Sequence, residues 1–134
     1  MNTTETPRGQ RADDARPPAV CHAEMGAAAW RAAVDYQLAA TPDHADFYAL
    51  AGDLVETLRA LDTVAGVLAS QATSYGASRQ VYDDEDANPA HRMRAAVLAL
   101  AAARHGLTRA ERAANQFWSA IGHIGTRYQD GDRS

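Results

Sequence analysis

The chain is poor in the residues that build disulfide frameworks, β-sheets and nucleic-acid-binding surfaces. It has one cysteine, Cys21, which excludes an intramolecular disulfide and fits a reducing compartment. Valine, isoleucine and aromatic residues are sparse, so a β-sheet would bury little apolar area. Lysine is absent, and with thirteen arginines the net charge is still −4. That balance gives no general attraction to nucleic acid or to an anionic membrane.

Long apolar segments are missing as well. Residues 1–18 are polar and lack the apolar stretch of a signal peptide, and no segment approaches the ~20 apolar residues that cross a membrane. We therefore expect a cytoplasmic protein with no membrane partner and a disordered tail over 1–18. Export by a route that needs no signal peptide stays open.

Alanine is abundant, at 31 of 134 residues, and apolar residues recur at helical spacing in three segments. These are about 19–40, 42–75 and 89–125. Two long helices joined by a short loop fold back on each other, so we predict an all-α fold: a long antiparallel hairpin with an additional N-terminal helix, assembling into a bundle. The domain would span 19–125, and 126–134 would be a flexible tail.

Helix-terminating residues mark the ends of the long helices. Thr41 precedes Pro42 and Asn88 precedes Pro89, which predicts two side-chain N-caps with proline at the first helical position. Gly125 is the predicted C-cap of the second long helix.

Each long helix carries a row of residues at alternating spacings of three and four, the pattern of a coiled-coil contact. The first row is Phe47, Ala51, Leu54, Leu58, Leu61, Ala65, Leu68, Ala72 and Tyr75. The second is Met93, Ala96, Leu100, Ala103, Leu107, Ala110, Ala114, Phe117, Ile121 and Ile124. If facing positions have residue numbers that add up to about 164 or 165, large residues oppose small ones, as Leu61 opposes Ala103. The first helix is acidic and the second basic, which favours their pairing.

A turn near Gly106 is the alternative for the second long helix. Gly106 is followed by Thr108-Arg109-Ala110-Glu111, a capping-box pattern, which would make 90–124 a DNA-binding helix-turn-helix. The heptad phase runs unbroken through this point, whereas a turn would reset it. We therefore predict one continuous helix.

Five aromatic residues should meet at the open end of the hairpin. Trp118 and Phe117 lie opposite Phe47 and Tyr48 in the paired helices, and Trp30 of the first helix could complete the cluster. A structural plug of the core and a pocket for a partner or ligand are both compatible with this pattern.

Four aliphatic residues fall outside the two rows and form the predicted partner interface. They are Leu50, Val64, Val97 and Leu98. Because one alanine-rich helix cannot cover all of them, we expect contact with a second copy of the chain, as a homodimer, or with a paralogous helical hairpin.

No pattern predicts a catalytic group, a cofactor site or a metal site. The acidic loop 83–86 lacks the alternating ligands and turn glycine of an EF-hand, so we interpret it as a solvated loop. No two of the five histidines are spaced i, i+3 or i, i+4, and a cysteine beside one histidine, His22, is no nucleophile–base pair.

Two features of the chain give a resemblance to a known family. A two-helix hairpin covers most of 43–132, and Tyr128 and Asp132 form a Tyr-x-x-x-Asp motif after the second helix. In both respects the chain resembles the ESAT-6-like (WXG100) family of small secreted helical proteins, whose export signal has this form. The connection at 76–88 lacks that family's Trp-x-Gly, and about forty extra residues precede the hairpin.

The sequence therefore favours a non-enzymatic interaction protein that acts by assembling with itself or with a similar hairpin, without nucleic acid. A DNA-binding regulator, a secreted effector resembling the WXG100 family and a helical enzyme are the alternatives, in that order.

Overall fold

The computed structural model describes residues 16–78, 80–85, 87–125 and 127. These residues form three α-helices and no strand. The helices are α1 over Pro18–Ala39, α2 over His44–Ser78 and α3 over Pro89–Gly122. The predicted all-α fold is confirmed, with α2 and α3 packed as a long antiparallel hairpin.

The chain divides into two compact units, Met1–Pro42 and Asp43–Ser134. The first contains α1, which begins with Pro18 at its first position and has no side-chain cap. Within it Arg16 pairs with Glu24 at 2.7 Å, and both side chains are exposed. The predicted tails, 1–18 and 126–134, lie largely outside the described residues.

Helix α2 begins later than the Thr41-Pro42 pattern predicted. The Asp43 carbonyl accepts the first helical hydrogen bonds, from the N–H groups of Asp46 (3.0 Å) and Phe47 (3.2 Å). The Asp46 carboxylate accepts the N–H of Asp43 in return, at 3.1 Å. Asp43 thus takes the N-cap position predicted for Thr41, because Asp46 completes the reciprocal bond three residues later.

Helix α3 begins as predicted and ends three residues before the predicted cap. Asn88 Oδ1 accepts the N–H groups of Ala90 (2.9 Å) and His91 (3.4 Å), which caps the first turn. At the other end His123 is the C-cap, and Gly125 lies beyond the helix. The helix runs without interruption through Gly106, so the capping-box alternative is not adopted.

The face that each long helix turns to the other differs from the predicted rows in every second position. On α2 the buried residues are Ala51, Val55 and Ala65, whereas Leu54 and Leu61 of the predicted row are 41% and 45% exposed. The residue after each exposed leucine of the row, Leu54, Leu61 and Leu68, is buried or half-buried instead, and Val55 is only 1% exposed. The same shift of one residue occurs on α3. There Val97, Glu111 and Trp118 are half-buried, and Ala96, Ala110 and Phe117 are exposed.

The register of the hairpin also differs from the prediction. The two residue numbers add up to 169 or 170 in five contacts between α2 and α3: Gly52 with Trp118, Gly66 with Arg104, Gly76 with Met93, Tyr48 with Gly122, and Arg59 with Glu111. They add up to 166 in two more, Asp62 with Arg104 and Tyr48 with Trp118. All of these sums exceed the predicted 164 or 165, so the helices are displaced by up to about five residues, or ~8 Å along the axis, from the predicted layers.

Two ion pairs connect the helices on the side that carries the charges. Arg104 Nε donates to Asp62 Oδ1 at 3.0 Å, which pairs the acidic helix with the basic one as predicted. Arg59 Nε donates to Glu111 Oε1 at 2.6 Å. Arg59 is the only base of α2 and Glu111 the only acid of α3, so the exceptional charge of each helix meets that of the other.

The connection between α2 and α3 is anchored by one buried carboxylate. The side chain of Asp83 is 2% exposed, and its carboxylate accepts Arg92 Nε at 2.6 Å and the Glu85 N–H at 2.8 Å. The hydrogen bond from Arg92 lowers the pKa of Asp83 from 3.8 to about 2, and the bond from the Glu85 backbone adds to this. Among the described loop residues, Asp83 is therefore not the solvated acid that the sequence predicted, whereas Asp84 and Glu85 are exposed.

This lowered pKa predicts a pH-dependent contribution of Asp83 to stability. The folded state holds the carboxylate ionised, so the contribution is present above the unfolded pKa of 3.8 and is lost as the pH falls toward 2. We expect Asp83→Asn to lower the melting temperature at pH 7, with the difference from the wild type vanishing near pH 2. Thermal unfolding followed by circular dichroism measures this, and Asp84→Asn is the matched control, with no difference expected at either pH. A constant deficit across this range would contradict the assignment.

Candidate functional site

The open end of the hairpin is held by two aromatic rings that lie over two glycines. A Cβ at Gly52 would lie 3.2 Å from Trp118 Cζ2, and a Cβ at Gly122 would lie 3.1 Å from Tyr48 Cε2. The Tyr48 and Trp118 rings are themselves in contact, with centroids 5.7 Å apart and planes tilted by 45°. Each helix thus supplies one ring and one glycine to the other, and the small residues allow the close approach.

The sequence signal for this arrangement is an aromatic residue followed four positions later by glycine, once on each helix. The pair on α3 is Trp118 and Gly122, and the pair on α2 is Tyr48 and Gly52. Residues four apart lie on one helix face, so when both helices carry such a pair each ring can lie on the glycine of the other helix. The aromatic cluster predicted from the sequence included neither glycine, and this spacing is the signal that could have found them.

The predicted aromatic cluster is brought together only in part. Tyr48 and Trp118 are in contact and Phe47 is half-buried, but Phe117 is 49% exposed because the rotation of α3 turns Trp118 inward in its place. Trp30 is half-buried in the other unit of the chain, and its predicted contribution stays a prediction.

A groove of about 670 Å³ lies beside the two rings, between the first turn of α2 and the last turn of α3. Its polar groups are those of His44, Asn115, Ser119 and His123. The Trp118 Nε1 is buried and has no hydrogen-bond partner among the described residues. Among the same residues, no group of three or more potential metal ligands is found.

One side of α2 carries no charged residue. Three leucines of the predicted inward row, Leu54, Leu61 and Leu68, lie exposed along it, and we name them the leucine row. Their exposed fractions are 41%, 45% and 48%. None of the positions on and beside this row is charged: Phe47, Leu50, Ala51, Leu54, Thr57, Leu58, Leu61, Val64, Ala65, Leu68, Gln71, Ala72 and Tyr75.

Helix α3 has a corresponding side made mainly of small residues. Ala96, Ala103, Gly106 and Ala110 are exposed, and we name them the alanine row. Phe117 continues the row at the open end of the hairpin. Every position on and beside it is apolar: Met93, Ala96, Ala99, Leu100, Ala103, Gly106, Leu107, Ala110, Ala113, Ala114, Phe117, Ala120 and Ile121.

The leucine row and the alanine row lie on the same side of the hairpin. Each row stands one position before the residues that face the other helix, such as Asp62 on α2 and Arg104 on α3. Two antiparallel helices are related by an approximate two-fold axis perpendicular to the plane that contains them. Equal offsets along the two sequences therefore fall on one side of that plane. We call this side the apolar face; the opposite side carries the Arg59–Glu111 pair.

The four residues of the predicted partner interface do not lie together on one surface of the hairpin. Leu50 and Val64 border the apolar face on α2, Leu50 half-buried and Val64 48% exposed. Val97 is half-buried and turned toward α2, beside Thr73 and Gly76. Leu98 is 69% exposed and lies away from the apolar face, in the same shallow groove as Arg94.

The comparisons with known proteins add no relative. A scan against protein-family models finds none that matches the chain, and searches of curated proteins and of solved structures find no match either. No helix in the described ranges is long and apolar enough to span a membrane. The Tyr128–Asp132 motif lies outside the described residues, so the resemblance that it carries stays a prediction.

The packing of rings over glycines predicts a specific sensitivity to side-chain size at Gly52. We expect Gly52→Val to displace the Trp118 ring and to lower the free energy of unfolding by ~1–3 kcal/mol, the usual cost of overpacking. Urea denaturation of the purified variant measures this. Ala49→Val is the control, because Ala49 is exposed three residues away in the same helix and should lose only a few tenths of a kcal/mol. Equal losses in the two variants would show that the ring contact is unimportant.

Proposed function

We propose that this protein is a non-enzymatic assembly module whose apolar face binds another helical hairpin, in the first place a second copy of the same chain. The observation that supports this best is the absence of charge on the apolar face over the described helices, while charged residues lie on the other sides. An exposed leucine row does not stabilise an isolated hairpin. Each of its side chains that is buried in an interface would stabilise the assembly by ~1.5–3 kcal/mol.

The size of the apolar face agrees with a stable interface. Helix α2 has 35 residues and α3 has 34, so each is ~50 Å long at 1.5 Å per residue. Two such helices side by side present a face ~20 Å wide, or ~1,000 Å² per copy. Burying this area on both copies gives ~2,000 Å², at the upper end of the range for specific, stable interfaces.

The DNA-binding alternative receives no support from the same geometry. A helix-turn-helix needs a turn between two short helices, and α3 is one helix of 34 residues through Gly106. Two of the arginines that made this region basic, Arg92 and Arg104, are held by carboxylates of the same chain. We therefore expect assembly to proceed without nucleic acid.

The proposal predicts that a charge in the middle of the leucine row prevents assembly without unfolding the hairpin. Leu61 is 45% exposed and lies outside the α2–α3 contact, so we expect Leu61→Asp to keep its helical circular dichroism. Its dimer dissociation constant should rise by about a hundredfold or more, because two leucines lose their burial and two charges enter an apolar interface. Light scattering and sedimentation at protein concentrations up to ~100 μM measure the change.

The matched control is Thr63→Asp, two residues away on the charged side of α2, which should assemble like the wild type. A wild-type chain that stays monomeric at the highest concentration would refute self-assembly. Unchanged assembly of Leu61→Asp would refute the role of the apolar face.

A further inference from the structure

We infer that the apolar face is completed by a second copy whose α3 lies on α2 of the first, with the two-fold axis parallel to the helices. This inference rests on the proposed assembly function and specifies its partner and geometry. In the resulting four-helix bundle every helix has two antiparallel neighbours, one from its own chain and one from the second copy.

The first argument is the asymmetry of side-chain size within the apolar face. The leucine row of α2 protrudes, whereas the alanine row of α3 has no side chain larger than a methyl group. A Cβ atom built on Gly106 would have no neighbouring atom within 4 Å, so the surface at this position is open. One half of the face is thus a ridge and the other half a shallow channel, and a ridge fits best against a channel.

The second argument is the register that this axis imposes. A two-fold axis parallel to the helices leaves every residue at its own height, so α2 meets the second α3 in the register of its own hairpin, where facing numbers add up to about 170. Leu61 then faces Ala110 of the second copy, Leu68 faces Ala103, and Val64 faces Gly106. A large residue meets a small one in each of these layers. Toward the open end the fit is between large residues, because Leu54 meets Phe117 and Leu50 stands opposite Ile121.

The alternative two-fold axis runs across the helices and gives a poorer fit. It would place α2 on α2 and α3 on α3, with leucines against leucines and alanines against alanines. The leucine contact needs an interaxial distance near 10 Å and the alanine contact one near 8 Å, so the two faces could not close evenly along ~50 Å. The observed distribution of large and small residues therefore selects the parallel axis.

Disulfide formation between differently tagged chains distinguishes the two axes. In a Cys21→Ser background, chains that carry only Leu61→Cys are coexpressed with chains that carry only Ala110→Cys, so that no intrachain bond can form. We expect the mixed disulfide to form about tenfold faster than either homodisulfide, because only the facing pair meets the distance requirement. Thr63→Cys coexpressed with His105→Cys, both on the outer side of the hairpin, is the control and should stay reduced.

The outcomes separate the geometry from the proposed function. A dimer by light scattering in which homodisulfides of Leu61→Cys prevail, or in which none of these disulfides forms, would overturn the geometry and leave assembly intact. A monomer, with the apolar face covered by α1 of its own chain, would overturn both. The mixed disulfide in a dimer confirms both.

Discussion

The reciprocal packing of Tyr48 on Gly122 and of Trp118 on Gly52 determines how the two long helices meet. Because glycine has no side chain, the opposite ring can lie directly on the helix at each of these positions. Both contacts form in the same register of the two helices. Once the register is fixed in this way, the rotation of both helices follows, because the rings must lie in the plane between them. The inward positions along the rest of α2 are then occupied by small residues such as Ala65, and by Val55.

The rotation divides the hydrophobic residues of the hairpin into two sets, one between α2 and α3 and one exposed on the apolar face. The start of α3, its continuity and the hairpin itself could be predicted from the sequence, because they depend on local signals such as Asn88 and on a heptad phase that spans many turns. Which of two adjacent rows faces the partner helix could not be predicted. Leu61 and Asp62 are adjacent in the sequence. The apolar pattern favours Leu61 for the contact between α2 and α3, but the same pattern is equally compatible with a contact to another chain. The predicted register was wrong for the same reason, because it matched leucines with alanines within one chain, and most of these leucines lie on the exposed face.

The two ion pairs between α2 and α3 favour one register of the hairpin over a slipped one. Arg59 and Glu111 reverse the charge pattern of their helices at one layer, so a hairpin slipped by one heptad would bring Arg59 toward Arg104, seven residues before Glu111. That slipped state places like charges together, whereas the observed register satisfies both pairs. The buried Asp83 adds a constraint at the closed end, where its bonds to Arg92 and to the loop backbone hold the connection against the first turn of α3. Aromatic packing at one end and a carboxylate anchor at the other thus specify the same alignment.

The alanine row also has an entropic consequence. Alanine and glycine side chains have no rotamers to lose, so a helix that packs on α3 restricts motion only in its own leucines. In the proposed assembly the entropic cost of ordering side chains would therefore fall mainly on the helix that carries the leucines. The shape of the alanine row is set by the backbone itself. Because the backbone of a continuous helix hardly moves, such a face can recognise the spacing of leucines on a partner without adjusting to it.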